Sequence, residues 1–311
     1  MSVDWFIAGA GALALIIVAV RIFRILYNIL APYVFLKPID LKKRAGASWA
    51  VVTGATDGIG KGYCFELAAR GFNILLVSRT QSKLDATKQE ILAKYPHINV
   101  RTAAYDFTDA STSGYQNLLT QLNEVDVGIL VNNVGMFHGY PEIVHKIEFG
   151  SARDVAVVNT LPPTLLTAGI LPQMVARKAG IIVNIGSSAG FNPMAQWAIY
   201  SATKKYVSWL SAILRKEYEH QGITVQNIAP MLVSTKMTGN PRSAFLVPDV
   251  TKFVKSAVNT IGNVAETTGY IGHQIQAEFT GLLPAFVIDK AVAAKSEQLR
   301  NLAFAKRGKS S

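Results

Sequence analysis

The chain is poor in the side chains from which metal and redox sites are usually built: 311 residues include one cysteine and five histidines. A single cysteine excludes an intrachain disulfide framework and any thiolate metal cluster, and suits a reducing compartment. His97, His138, His145, His220 and His273 share no metal-ligand spacing. No metal is therefore expected, and each histidine is read as structural or exposed. Charge is scarce too, at 16% of residues against 50% apolar. That balance excludes a disordered chain and points to a large buried core with membrane contact. The charge that exists is lopsided, +11 overall, which suits an anionic membrane surface or a phosphorylated ligand. No basic run with interleaved aromatics occurs, so nucleic acid is not expected as a partner. Repeats at solenoid periods and low-complexity tracts are missing as well.

What is present begins at the N-terminus. Residues 5–20 carry no charge; Arg21 and Arg24 follow, and a second apolar stretch runs to Leu36. At ~1.5 Å per residue the first run falls just short of a ~30 Å hydrocarbon core, and snorkelling of the two arginines completes it. A cleaved signal peptide is the main rival, but it wants a positively charged start where only Asp4 stands. A buried or interfacial helix is the third reading. We expect residues 1–46 to form a retained membrane anchor with a basic linker, ahead of a main domain at 47–311. Arg21, Arg24, Lys37, Lys42, Lys43 and Arg44 all follow the anchor, which leaves that domain cytosolic.

Beyond Gly46, short apolar runs alternate with helix-like segments. The runs at 49–53, 73–77, 100–105, 128–132, 181–185 and 224–228 are β-branched or Leu-rich and end in turn residues. Such nearly continuous apolar strands are what a parallel sheet covered on both faces requires. The segments 60–70, 83–94 and 198–220 have helical length and period, with Gly71 and Gly222 where C-caps fall. The alternation predicts an α/β, Rossmann-like, doubly wound parallel sheet with helices on both faces. The tail at 305–311 reads as a basic, frayed end.

Directly after the first strand comes T-G-A-T-D-G-I-G, residues 53–60. Glycines at 54, 58 and 60 let backbone approach a pyrophosphate and bring up a helix N-terminus. A tight turn would need glycine as well, so the placement between strand and helix carries the functional reading. The second strand ends at Arg79 where an NAD site would have an acid for the ribose hydroxyl, and Lys83 lies nearby. An arginine there favours a 2′-phosphate and hence NADPH. Tyr200 and Lys204 sit four apart, on one helical face, where the ammonium can pull the phenol down toward physiological pH. Alone, such a pair would be read as a solvated helix surface.

Taken in order, the 53–60 turn, N-N-V-G at 132–135, Asn159, Ser187, Tyr200-x-x-x-Lys204 and P-x-x-V-x-T from Pro230 to Thr235 resemble the short-chain dehydrogenase/reductases over about residues 48–240. The N-terminal apolar segment, S-R-T-x-x-K-L from Ser78, D-F-T from Asp106 and T-T-G-Y-I-G-H from Thr267 are similar to its membrane-bound branch. That branch holds the 17β-hydroxysteroid dehydrogenases of types 3 and 12 and the very-long-chain 3-oxoacyl-CoA reductases. Two positions depart: Met231 stands where glycine often follows the proline, and Asp57 where many NADPH-binding members are basic.

The resemblance implies Tyr200 as the acid that protonates a ketone oxygen, Lys204 as its partner and proton relay, Ser187 as the group orienting the carbonyl, and Asn159 as the holder of a linking water. It implies NADP(H) held by Gly54, Thr56, Asp57, Gly58, Ile59, Gly60, Arg79 and Lys83 and, at the nicotinamide end, by Tyr200 and Lys204, with Asp106 on the adenine amino group. Asn132 and Gly135 would line the adenine–ribose side, and Val233 and Thr235 the carboxamide. Residues 239–290, with Phe245, Leu246, Val247 and Phe253, would cover the substrate, and the apolar run at 281–288 would dip into the interface or wall a pocket. The expected substrate is a lipid ketone, a steroid or a long-chain 3-oxoacyl-CoA. A soluble alcohol or sugar dehydrogenase and a non-catalytic tethered protein of the same fold are the alternatives. A homodimer follows by analogy with the family. Arg307 and Lys309 resemble a dibasic retrieval signal for the endoplasmic reticulum.

Overall fold

The computed structural model describes residues 3–239 and 241–307; Lys309 and the side chain of Arg307 lie outside them. Seven parallel strands form one sheet: β1 (Trp49–Thr53), β2 (Asn73–Ser78), β3 (Val100–Ala104), β4 (Val127–Asn132), β5 (Gly180–Ile185), β6 (Ile223–Ile228) and β7 (Glu266–Thr267). Their order is β3-β2-β1-β4-β5-β6-β7. The chain therefore starts at the centre, winds one way to β3, returns to β4 beside β1 and winds the other way. That reversal opens a crevice at the carboxyl ends of β1 and β4, where ligands bind in folds of this kind. Six strands match the sequence expectation within a residue, and β7 was not expected.

Side chains alternate across the sheet. Ala50, Val52, Ile74 and Leu76 face one core and Val51, Leu75, Val77 and Leu130 the other. The first core is closed by α2 (Leu41–Ala45), α3 (Gly58–Ala69), α4 (Gln81–Lys94) and α8 (Val250–Asn259). The second is closed by α5 (Thr112–Leu122), α6 (Phe149–Arg177) and α7 (Ala198–Tyr218). Burial of each large apolar side chain contributes about 1.5–3 kcal/mol, so continuous strands covered on both faces are self-consistent. Phe253 is wholly buried in the first core. This corrects its expected place over the substrate: α8 turns it toward the sheet.

The N-terminal helix α1 (Val3–Leu30) runs on into a short π-helical turn, Ala31–Phe35. Ile7–Phe35 is long and apolar enough to cross a membrane, and residues 7–24 of it are exposed. Phe149–Arg177 passes the same test of length and composition, but it is a core helix, half buried. The end of α1 is docked. Ala31 and Pro32 are buried, Asn28 donates to Glu278 at 2.9 Å, and the Tyr33 hydroxyl bonds that of Thr267. Glu278 belongs to α9 (Ile271–Thr280), which precedes α10 (Ala285–Arg307). The tail expected to fray is thus helical as far as Arg307.

Candidate active site

The turn between β1 and α3 is shaped by glycines no other residue replaces. Gly54 and Gly58 have φ of +64° and +51°, the left-handed region that side chains disfavour. A Cβ on Gly60 would run into the Gly54 carbonyl. Asp57 starts α3, its carboxylate accepting from Gly58 N at 2.8 Å and pairing with Lys236 at 3.2 Å. Ile59 packs on the core beneath, and the Thr56 hydroxyl bonds that of Ser78 at 3.0 Å. The turn is tied to β4 by a residue not anticipated from the sequence. Asn133 Nδ2 donates to Thr53 O at 2.9 Å, and its backbone N–H donates to the Thr53 hydroxyl at the same distance.

Asn132, the expected contact, points elsewhere. Its side chain is buried, donating to Asn184 Oδ1 at 2.8 Å and Thr167 Oγ1 at 3.1 Å. This is a correction: successive residues leave a strand on opposite faces, and the inward one stitches β4 to β5 and α6. The next residue reaches the glycine turn.

At the end of β2, Arg79 is 70% exposed and meets Asp106 at only 3.9 Å, a surface pair of little strength. Lys83 is exposed at the start of α4. Asp106 also accepts from the Thr108 amide at 3.1 Å and the Thr108 hydroxyl at 3.0 Å, so it builds its turn besides facing Arg79. Left-handed glycines, a helix start and two available cations fit a dinucleotide bearing an extra phosphate.

The candidate catalytic residues assemble where β5 ends. Ser187 follows β5, and α7 presents Tyr200 and Lys204 to it from one face, as their spacing predicts. Ser201 Oγ donates to Ala189 O at 2.7 Å and pins the loop to the helix. Lys204 is 5% exposed; its ammonium donates to Ile185 O at 3.0 Å and lies 5.7 Å from the Tyr200 ring centre. Burial draws Lys204 down to about 8. Tyr200 lies against Phe137 at 5.5 Å and Trp197 at 6.2 Å. That burial raises its pKa, and the hydrogen bond with Ser187 works in the opposite direction. The expectation of a phenol already pulled toward neutrality is therefore corrected: desolvation wins, and the phenol is held protonated.

Asn159, in α6, is 2% exposed. Its Oδ1 accepts from Met136 N at 2.8 Å, and its Nδ2 donates to Met136 O and to Thr203 Oγ1, both at 3.0 Å. A Cβ on Gly135 would sit 3.2 Å from Asn159 Oδ1 and 3.4 Å from Lys204 Nζ. Gly135 thus joins the lysine end of the site. Val233 is buried in the core, and Thr235 lies across from Gly58, its methyl 3.4 Å from where a Cβ there would be. His273 grips the loop before them. The Met231 N–H donates to its Nδ1 at 3.3 Å and Leu232 O lies 3.2 Å from Nε2. Burial lowers its pKa to about 4. The departure at Met231 thus meets a neutral imidazole that fixes the loop.

Ser187 and Tyr200 open into a cavity of about 1240 Å³. Its roof is one face of α10, Ile288, Val292, Leu299, Leu302 and Ala303. That helix is held down by Trp197 Nε1 donating to Ser296 Oγ at 2.8 Å and by Arg300 pairing with Glu142 at 2.9 Å. Ile288 from the 281–288 run lines the cavity, while Leu282, Leu283 and Phe286 stay exposed. Phe245 and Leu246 do not line it; the cover comes from α9 and α10. No group of three or more metal-ligating side chains occurs among the described residues.

Residues 48–244 match the short chain dehydrogenase family. The chain is 64% identical over 309 residues to a very-long-chain 3-oxoacyl-CoA reductase of Caenorhabditis briggsae, covering 99% of this chain and 98% of that protein. It is 61% identical over 302 residues to a Caenorhabditis elegans protein with a steroid dehydrogenase name, covering 96% of each. Among solved structures, a short-chain dehydrogenase of Sphingobium yanoikuyae in complex with NADPH is 30% identical with a TM-score of 0.61, over 68% of this chain and 82% of that one.

Proposed function

We propose the following activity for this chain, which belongs to the short-chain dehydrogenase family: NADPH-dependent reduction of a lipid ketone, a long-chain 3-oxoacyl-CoA first and an oxosteroid second. The observation that carries it is the opening of Ser187 and Tyr200, with Lys204 buried one helical turn on, into a cavity of about 1240 Å³ roofed by an apolar face of α10. Pockets for compact ligands run roughly 300–1,000 Å³, so this one suits an extended substrate. The acyl-CoA reductase name borne by a relative 64% identical supports the first reading.

NADPH, when bound, supplies the hydride to the carbonyl carbon. The hydroxyls of Ser187 and Tyr200, which line the same cavity, receive the carbonyl oxygen. Ser187 donates to the growing negative charge and Tyr200 gives up its proton. Burial suits an acid here, because it keeps the phenol protonated until the oxygen becomes basic. Lys204 then lies close enough to stabilise the phenolate. Pro163 has no N–H for the Asn159 carbonyl four residues earlier, which leaves that oxygen to hold a water on the path from Lys204 to solvent. Arg79 and Lys83 would take the 2′-phosphate, and the glycine turn with Thr56 the pyrophosphate.

We assign the chain to the endoplasmic reticulum membrane, with residues 47–311 as a cytosolic catalytic domain. The charge-free run at residues 5–20 and the cations after it support this. A homodimer through α6 and α7 is supported by Trp209 and Ile213, exposed on α7. The test uses full-length protein in neutral detergent with NADPH or NADH, a long 3-oxoacyl-CoA and an oxosteroid. Turnover of the thioester with NADPH is expected. Turnover of the steroid alone moves the assignment to the second reading, and turnover of neither overturns it.

A further inference from the structure

One wall of the cavity that holds the catalytic groups is the anchor helix itself. Arg24, Tyr27, Asn28 and Pro32 of the α1 segment line the same space as Ser187 and Tyr200. These turns are not free to drift, because Asn28 is bonded to Glu278 and Pro32 is buried.

The charges in the lining are unevenly engaged. Glu278 accepts from Asn28 and Gln274, and Glu266 from Ser208 and Asn227. Lys236 is paired with Asp57. Arg24 and Lys205 also line the cavity, and neither has a hydrogen bond or ion pair among the described residues. Of the two, Arg24 is carried by the membrane helix. A guanidinium presents a planar fork of donors that suits phosphate oxygens.

We propose that Arg24 is a specificity-determining residue which pairs with a phosphate group on the substrate's carrier, so that the anchor reads the substrate as well as tethering the enzyme. This rests on the ketone-reductase reading above and narrows it toward acyl-CoA thioesters, because an oxosteroid offers no anion to Arg24. A phospholipid headgroup is the other source of phosphate at this depth, and Arg21, which does not line the cavity, would meet it equally well.

The test compares full-length wild-type protein, Arg24→Gln and Arg21→Gln in neutral detergent without phospholipid. Each is assayed with a long 3-oxoacyl-CoA and with the same acyl chain as an uncharged short thioester. We expect the ratio of kcat/KM for the CoA ester over the uncharged ester to fall about tenfold in Arg24→Gln, the scale of one charge-assisted hydrogen bond, and to hold in Arg21→Gln. A parallel arm measures binding of a saturated long-chain acyl-CoA, which needs no turnover, and a similar weakening confined to Arg24→Gln is expected. A ratio that falls in neither variant, or equally in both, overturns the proposal. Should wild type reduce neither thioester, the functional reading fails while the binding arm still decides the role of Arg24.

Discussion

Asn159 holds Met136 by both of its backbone polar groups, accepting its N–H at 2.8 Å and donating to its carbonyl at 3.0 Å. A side chain bonded in this way imitates a strand partner. It fixes the chain leaving β4 at the point where Gly135 faces Lys204. Replacing it with alanine leaves a half-buried N–H without that partner, at a cost of about 1 kcal/mol. We expect Asn159→Ala to unfold several degrees lower in a thermal melt of the full-length protein, at roughly 2–4 °C per kcal/mol. Its kcat should fall as well, because the loop beside Lys204 is released.

On the proposed reading Arg79 decides between the two dinucleotides. Its only charged partner among the described residues is Asp106 at 3.9 Å, so an incoming phosphate meets little competition. Arg79→Gln should weaken NADPH binding by about 10–100-fold, the range for losing a charge-assisted contact, and leave NADH nearly unchanged. Titration with both dinucleotides checks this, and equal losses would place the 2′-phosphate elsewhere.

In the proposed mechanism Lys204 makes the reaction sensitive to pH. Burial lowers it from 10.5 to about 8, so the ammonium is present below that pH and is lost above it. Reductive kcat should therefore decline as pH rises through about 8. Lys204→Arg, charged to far higher pH, should remove that limb from the profile. The stability effect has the opposite sense. Between about 8 and 10.5 the unfolded chain binds the extra proton, so the native state gains stability as pH rises across that window.

Much of this was legible from sequence because the controlling physics is local. Apolar runs bounded by turn residues mark six strands, left-handed glycines mark the turn after β1, and a spacing of four puts Tyr200 and Lys204 on one helix face. The two-residue strand β7 has no periodicity to detect. Asn132 and Asn133 differ only in which side of the strand end they leave, which the order of two identical residues does not reveal. Phe253 looked like a pocket residue because apolar side chains suit a pocket and a core equally. The roof formed by α10, and the His273 grip on Met231 and Leu232, join segments about 40 to 100 residues apart, and no local pattern announces such pairings. The raised Tyr200 pKa belongs with these, since a spacing reports the neighbour and not the burial.

The most direct measurement is single-turnover reduction of a long 3-oxoacyl-CoA by full-length Tyr200→Phe, with NADPH binding measured on the same sample. Loss of the proton donor predicts a fall in rate of about 10²–10⁴-fold, the usual contribution of a positioned acid, with NADPH bound as tightly as before. A variant that binds NADPH normally and reduces the ketone at the wild-type rate would contradict the account.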